Sequence, residues 1–570
     1  MGEVPDAIDG YLAGYWDRHP VTATFAGASG HDGFLPDWSP AGLERAAGNA
    51  SSMRSELATS LADARRTLHA APWPMRARLV DLELATGALE IEAAEYGLPL
   101  MQRGDPSLAI GEAVFGVISL MLREAVPTEL RWRAAAERLT AVPAFLVGVR
   151  ATMSGSVPVA FVERAHRECE GTTILFRDGV PLWLGAAQSP AARAVRGALP
   201  GAIAAVSAFA GWLVDGVRVD NENHVRSGEN HLSLLFERGH WTSRPVADWL
   251  REARERFGQT RARLDTMANA IAGDGWVEVQ RRLAADHVTA DDYLVEFARC
   301  LGSCRELSDR ERVVDWPDAP VQFASQPAWT RAAAPYLYYL PYRSPAPLAS
   351  ISERPPVHVH ELAPADASVP EPLRAARRRA MTRSQIKLNH VVHHAAIGHH
   401  VQNWYAARSA ARVGRIAAVD GASRIALLAG GSLAEGWACY ATDLMDALGF
   451  CSPDERVAEQ HTRVRLLARL IADIELHRGA WTLARTVAFY MDEVGMAPEA
   501  ARGEAVKNAM FPATASMYWI GLEGLHALRS SQEKVLGADF SRHDFHQQVL
   551  GYGSIPVPMI TELMTTGARA

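Results

Sequence analysis

Residues 385–408 read QIKLNHVVHHAAIGHHVQNWYAAR, a run of helical composition that carries His390, His393, His394, His399 and His400 within eleven residues. Five of the chain's 20 histidines therefore share one short segment, a density that packing does not explain. Neutral imidazole is the commonest metal ligand, and a helix presents two of them to one ion when they lie a turn apart. On an unbroken helix His390 and His394 are separated by about 400° of turn and end up about 40° apart. His393 and His399 are separated by about 600° and fall on different faces. Those two converge only if the helix breaks or bulges between them, with Gly398 as the weak point. A solvated histidine-rich helix face is the plain alternative.

Outward from this segment the chain remains helical in pattern. The first three hundred residues read as successive amphipathic helices, for example MRARLVDLELATGALEIEAAEYGL at 75–98 and TELRWRAAAERLTAVPAFLVGVRATM at 128–153. Between Val313 and Leu362 the texture changes to prolines, aromatics and short alternating runs such as PYLYYLPYRSP and PPVHVHELAP, which predict extended segments and a small sheet beside a cleft. Helical periodicity then returns up to a Gly/Pro-rich end, GYGSIPVP. The expected fold is mostly α, a multi-helix body with a cleft and a small β segment. Its expected parts are a helical scaffold lobe over 1–312 and a metal-site lobe over 313–570 that carries the extended insertion near 313–362. No repeat of fixed period is visible.

With 570 residues, 48% hydrophobic and 22% charged, the chain has a globular balance and room for two helical subdomains. A net charge of −7 with no long Lys/Arg run argues against a nucleic-acid partner, because affinity for the phosphate backbone comes from clustered positive charge. Cys169, Cys300, Cys304, Cys439 and Cys451 are few and odd in number, which suits reduced thiols better than a disulfide framework. Cys300 and Cys304 lie one helical turn apart and could bind metal, although small core residues are the commoner outcome. The start, MGEVPDAIDGYLAGYWDRHP, carries acids where a signal peptide carries bases, and no apolar stretch of membrane-spanning length is expected. A cytoplasmic protein without a membrane partner is the expectation.

The string HHAAIGHHVQ resembles the HExxPGHHxQ signature of the bacterial domain-of-unknown-function 885 family, whose members are similar to zinc metallopeptidases. Further matches follow in order along the chain. AEGWACYA at 434–441 resembles the family's EGWALYAE, and DIELH at 473–477 resembles its DTGLH. FPATASMYWIG with LHALR is similar to its PgQAxSYxiG and LR block, and FHQQVLGYGSIPVPMI to its C-terminal FHdxlLxxGxxPl. HPVTATFAGASGHDGFLPDWSP is similar to its PxxATxxGxxxxdxxLPDxSP opening.

The resemblance implies a zincin-like site with His393, His399 and Glu435 as metal ligands. Two imidazoles and a carboxylate leave a zinc ion a position for water, whose pKa falls from ~15.7 toward ~7. Glu435 has a second reading, since Ser432 to Glu435 also fits a capping box. His394 stands where the family has the glutamate expected as general base, and loss of a positioned base typically removes ~10²–10⁴ in rate. His394 would then act as the base or turn inward as an extra ligand. Ile397 stands at the family's proline, which leaves Gly398 and packing to make the break. Thr442 replaces an acid that would orient a histidine. Tyr518 is the candidate oxyanion stabiliser or a buried aromatic. Arg529 is a candidate clamp for a substrate carboxylate or a structural ion pair. His477 and His546 are substrate contacts or structural histidines. The run Arg374, Arg377, Arg378, Arg379 and Arg383 would draw anions to the cleft or form a solvated face.

Three expectations of function follow. The first is a metal-dependent hydrolase, with zinc as the expected ion, acting on an amide or ester of a small-molecule or peptide-like substrate. The second is a non-hydrolytic Lewis-acid enzyme performing a cyclisation, elimination or rearrangement. The third is a catalytically inactive binding descendant. An imidazole-rich site would also suit iron, copper or nickel.

Overall fold

Long helices dominate the computed structural model, and their order follows the periodicity of the sequence. It describes residues 6–567 except 154, 221–224, 274, 290–291, 338–345, 349–357, 363–370, 372–373, 376–380 and 423. Helix Pro40–Leu68 packs on Ala77–Glu95, Thr128–Thr152 on Pro190–Asp215, and Val246–Ile271 on Pro453–His477. One hydrophobic cluster runs from Ile8 to Met564, so the helices that precede residue 313 and those that follow it share buried side chains.

The expected extended region contains a parallel pair of strands, Val321–Ser325 and His358–Leu362, in which Val321 is level with His358 and Ser325 with Leu362. The fold is thus mostly α with a small β element. Residues 338–345 of PYLYYLPYRSP and residues 355–357 and 363–364 of PPVHVHELAP lie outside the described residues, as do Arg377, Arg378 and Arg379. Of the remaining arginines in that run, Arg374 pairs with Glu371 and Arg383 with Asp286 and Glu296.

The expectation about membrane-length segments needs a correction. Helix Pro190–Asp215 is long and apolar enough, by length and composition, to cross a membrane. Residues 197–214 carry no charged side chain, because Arg193, Arg196 and Asp215 sit toward its two ends. Its buried residues, Ala192, Val195, Leu199, Ala202, Val206, Phe209 and Leu213, recur every three or four positions, and the helix packs against Thr128–Thr152. That is the spacing of a core-facing stripe.

Two features of this frame position the cleft. Helices Gly431–Ala447 and Met517–Leu536 cross at Gly436 and Gly521, where a Cβ on Gly436 would stand 2.5 Å from the backbone of Gly521. Only glycine permits that approach. The crossing brings the start of one helix, with Glu435, and the start of the other, with Tyr518, to the lining of one cavity. Asp473 then fixes the loop before Tyr518, accepting hydrogen bonds from the N–H groups of Ala513 at 3.0 Å and Ser516 at 3.1 Å.

Candidate metal centre

The histidine segment is broken where the spacing requires. Gln385–Ala395 is wound as a π-helix, and His399–Ala406 resumes as an α-helix. Between them the Ala396 N–H reaches Val391 O at 2.8 Å and the Gly398 N–H reaches back to Val392 O at 3.0 Å, so the ladder widens and then ends. A Cβ at position 398 would stand 1.9 Å from His393 O, which excludes every residue except glycine. The indole N–H of Trp437 donates to Ile397 O at 2.8 Å and ties the break to helix Gly431–Ala447.

The break turns His393 and His399 toward each other. Glu435 Oε2 lies 3.4 Å from His393 Nε2 and 3.5 Å from His399 Nε2. These separations are long for hydrogen bonds, yet they match the ~3.3–3.4 Å edge of a tetrahedron built on metal–ligand bonds of ~2.0–2.1 Å. One ring nitrogen from each of His393, His394 and His399 lies within 4.8 Å of the others. His394 Nδ1 is 2.7 Å from Asn389 O. A carbonyl only accepts, so Nδ1 carries the proton and Nε2 keeps its lone pair, the tautomer a ligand needs.

Three imidazoles and one carboxylate are the donor set of a site for zinc or another late divalent ion, so the residues present fit such a group. Glu435 does not serve the capping box, because its helix begins at Gly431 and Ser432 Oγ accepts from Val557 N–H. The electrostatics follow from the same contacts. Burial alone would push the Glu435 carboxyl up, but His399 and His393 outweigh it and hold it well below the usual carboxylate range. Burial pulls His399 down, and the negative charge of the adjacent Glu435 reverses this to a net rise. His394 is pushed well below the ordinary imidazole value by burial and then by His393 and His399. It stays neutral and is a weak base.

The cluster opens into a cavity of about 740 Å³ lined also by Tyr518, Asp443, Glu459, Arg463, Arg465, Arg469 and Lys507. That volume accommodates a small polar molecule. Glu459, from helix Pro453–His477, is a buried carboxyl that burial and the neighbouring Asp443 push up to about 8. Arg469 lies over the Tyr518 ring, 4.7 Å from its centroid. Glu459, Arg465 and Arg469 were not singled out by sequence. The available signal was the string EQHTRVRLLARLIAD, in which charged residues are interleaved with apolar ones around the helix.

The remaining sequence candidates take no part in the converging trio. Arg529 Nη1 donates to the Tyr440 hydroxyl at 3.2 Å, that hydroxyl is 3.0 Å from His546 Nε2, and His546 Nδ1 donates to Val313 O at 2.8 Å. Arg529 and His546 thus belong to one internal network outside the cavity lining. His477 is fully buried and donates from Nε2 to Asn508 O at 2.9 Å, also outside the lining. His390 and His400 are both pulled down to about 4 chiefly by burial, and neither belongs to the converging trio. Thr442 lines the cavity and donates to Ala438 O at 3.0 Å. Cys300 and Cys304 are buried in the core, and all five cysteines are unpaired.

The fold is similar to two solved structures. One is "a putative lipoprotein of unknown function" from Shewanella oneidensis, with a TM-score of 0.74 and 18% identity over 98% of this chain and 99% of that one. The other is "the putative lipoprotein" from Colwellia psychrerythraea, with a TM-score of 0.75 and 14% identity over the whole of both chains. No curated protein matches the chain. The family model described as bacterial protein of unknown function, DUF885, matches residues 20–564, nearly the full length, and the chain belongs to that family.

Proposed function

We propose that this protein is a metal-dependent enzyme acting on a small, peptide-like polar molecule, with its ion, zinc by donor set, held by His393, His399 and Glu435. The observation that carries the reading is the tetrahedral spacing of Glu435 Oε2 from two imidazole nitrogens at the edge of a cavity. A divalent ion bound there supplies Lewis acidity toward a carbonyl. Tyr518, in the same lining, would donate to the oxygen on which negative charge develops. Burial and the neighbouring Asp443 push Glu459 up to about 8, which suits a carboxyl that donates a proton within the cavity.

Two forms of the chemistry differ in what His394 does. As a general base it would support hydrolysis of an amide or ester. As a further ligand it would leave the site without a base at that position, which suits a cyclisation, elimination or rearrangement. The nitrogen that His394 brings within 4.8 Å of those of His393 and His399 favours the ligand. The test compares zinc-loaded wild type and His394→Glu on a peptide library and a metabolite extract, with products identified by mass. Peptide hydrolysis gained only in the variant supports the ligand role, whereas hydrolysis by wild type that the variant preserves makes His394 the base. No product from either sample contradicts the enzyme reading.

The five unpaired cysteines support a reducing compartment for this chain. Both structural relatives are described as lipoproteins, which would place them at a membrane. Fractionation of the native cell tests the cytoplasmic reading, and recovery in the membrane fraction would overturn it.

A further inference from the structure

Glu459 of helix Pro453–His477 is 7% exposed and lines the cavity, and its carboxyl meets no base and no hydrogen-bond donor among the described residues. The acids that act on it are all matched. Asp443 pairs with Arg463, Asp446 with Arg456 at 2.9 Å and Glu455 with Lys387 at 2.7 Å. Arg463, one turn after Glu459, also donates to Gln460 at 3.0 Å, so this neighbouring cation is already engaged. A buried carboxylate is costly until a counter-ion or a donor meets it, and here the cavity is the side from which one can come. Two hydroxyls in the same lining are acceptors as well. Thr462, three residues after Glu459, donates to Ala458 O at 3.1 Å, and Thr442, beside Asp443, donates to Ala438 O at 3.0 Å. With their hydrogens spent on their own helices, both oxygens can only accept. Cys439 lies one turn beyond Glu435 on helix Gly431–Ala447, and Glu435 and Glu459 both raise its thiol, so the two carboxyls lie within electrostatic range of one side chain.

We propose that Glu459, with the hydroxyl oxygens of Thr442 and Thr462, receives a primary ammonium group of the substrate while another part of the substrate reaches His393, His399 and Glu435. Its part in turnover rests on the metal reading; its capacity to bind an amine does not. An ammonium ion carries three N–H donors and no acceptor, so it matches a carboxylate accompanied by oxygens that only accept. A free amine entering the cavity takes the proton of Glu459, and an ammonium ion displaces that proton to solvent. Both routes end in the same ion pair, in which the carboxylate has found its missing counter-ion.

The experiment is calorimetric titration of the full chain, chelator-treated and zinc-loaded, with Ala-Ala amide and with N-acetyl-Ala-Ala amide. The free amine should bind and the acetylated peptide should bind at least about 10-fold more weakly. At about pH 6.5 Glu459, pushed up to about 8, and the amine, ordinarily at ~7.7–8.0, each hold a proton, whereas their ion pair holds one fewer. Binding should therefore release close to one proton, read as a heat that varies with the ionisation enthalpy of the buffer. Glu459→Gln should weaken the amine by about 10- to 100-fold and abolish that release. Glu499→Gln, which removes an exposed acid from helix Pro498–Met510, should change neither. Circular dichroism checks that each variant folds, and Thr462→Val, with an expected loss of about 10-fold, replaces Glu459→Gln if the latter does not. Equal binding of the two peptides, binding of neither, or an unchanged Glu459→Gln overturns the proposal, as does amine selectivity that needs zinc and survives in Glu459→Gln. Amine selectivity without zinc uptake keeps the pocket and sinks the metal reading, while zinc uptake without amine selectivity does the reverse.

Discussion

The segments 393–399 and 473–477 both carry histidines in stretches that resemble motifs of one family, yet they behave differently in the fold. His477 is fully buried and directs Nε2 to the carbonyl of Asn508, while Asp473, one turn before it, holds the loop leading to Tyr518. His393 and His399 instead direct nitrogens at one carboxylate oxygen beside a cavity. Burial does not distinguish a structural imidazole from a ligand. What distinguishes them is whether the nitrogen meets a single backbone acceptor or converges with others on one point.

The sharpest way to break this comparison is to delete one histidine from each segment. His393→Ala should lower zinc affinity by more than the ~10–100-fold that loss of an outer-shell partner costs, with little change in unfolding free energy of the metal-free protein. His477→Ala should do the opposite, costing about 2–4 kcal/mol of stability through a cavity and an unpaired carbonyl while leaving zinc affinity intact. Competition with a chromogenic chelator and urea denaturation read the two effects. Equal zinc loss in both variants would erase the distinction.

A carboxyl of the cavity gives the next effect. The unfolded chain releases the Glu459 proton near its ordinary value of 4.5 and the folded chain near 8, so between these values the folded state holds the extra proton. Stability from this group therefore falls as pH rises through that window. Glu459→Gln removes the penalty, and the variant should gain on wild type by on the order of 2–4 kcal/mol between pH 5 and pH 9. Denaturation at the two pH values reads it, and a pH-independent difference would show that Glu459 is solvated or paired as in the unfolded chain.

The smallest effect concerns His394. As an added ligand whose removal leaves His393, His399 and Glu435 in place, His394→Ala should weaken zinc by about 10- to 100-fold without abolishing it. Unchanged affinity would confine His394 to another role.

Much of this arrangement was legible in the sequence, and what was not has a physical reason. The angular argument on His393 and His399 required a break and pointed to Gly398, because helical pitch is fixed and glycine tolerates what a Cβ cannot. Glu435 was legible only through the resemblance, since its spacing alone also fits a helix cap. The separation of Arg529 and His546 from the cavity was not legible, because it depends on how Tyr440 lies between residues 89 and 106 positions away from it. Arg465 and Arg469 were missed for a related reason. Along a helix buried on several sides, periodicity does not say which charged side chain meets a counter-ion and which meets a cavity. Helix Pro190–Asp215 shows the reverse limit, since its alanines and glycines meet the composition of a membrane span while its larger apolar residues mark a packed stripe.

The central claim is that Glu435 and the converging histidines hold a divalent ion, and metal stoichiometry tests it most directly. Wild type and Glu435→Ala, purified alike and equilibrated with zinc before removal of excess, are assayed by mass spectrometry for metal and by circular dichroism for folding. The account predicts about one zinc ion per chain in wild type and almost none in the folded variant. Metal near zero in wild type, or equal content in both, would contradict it.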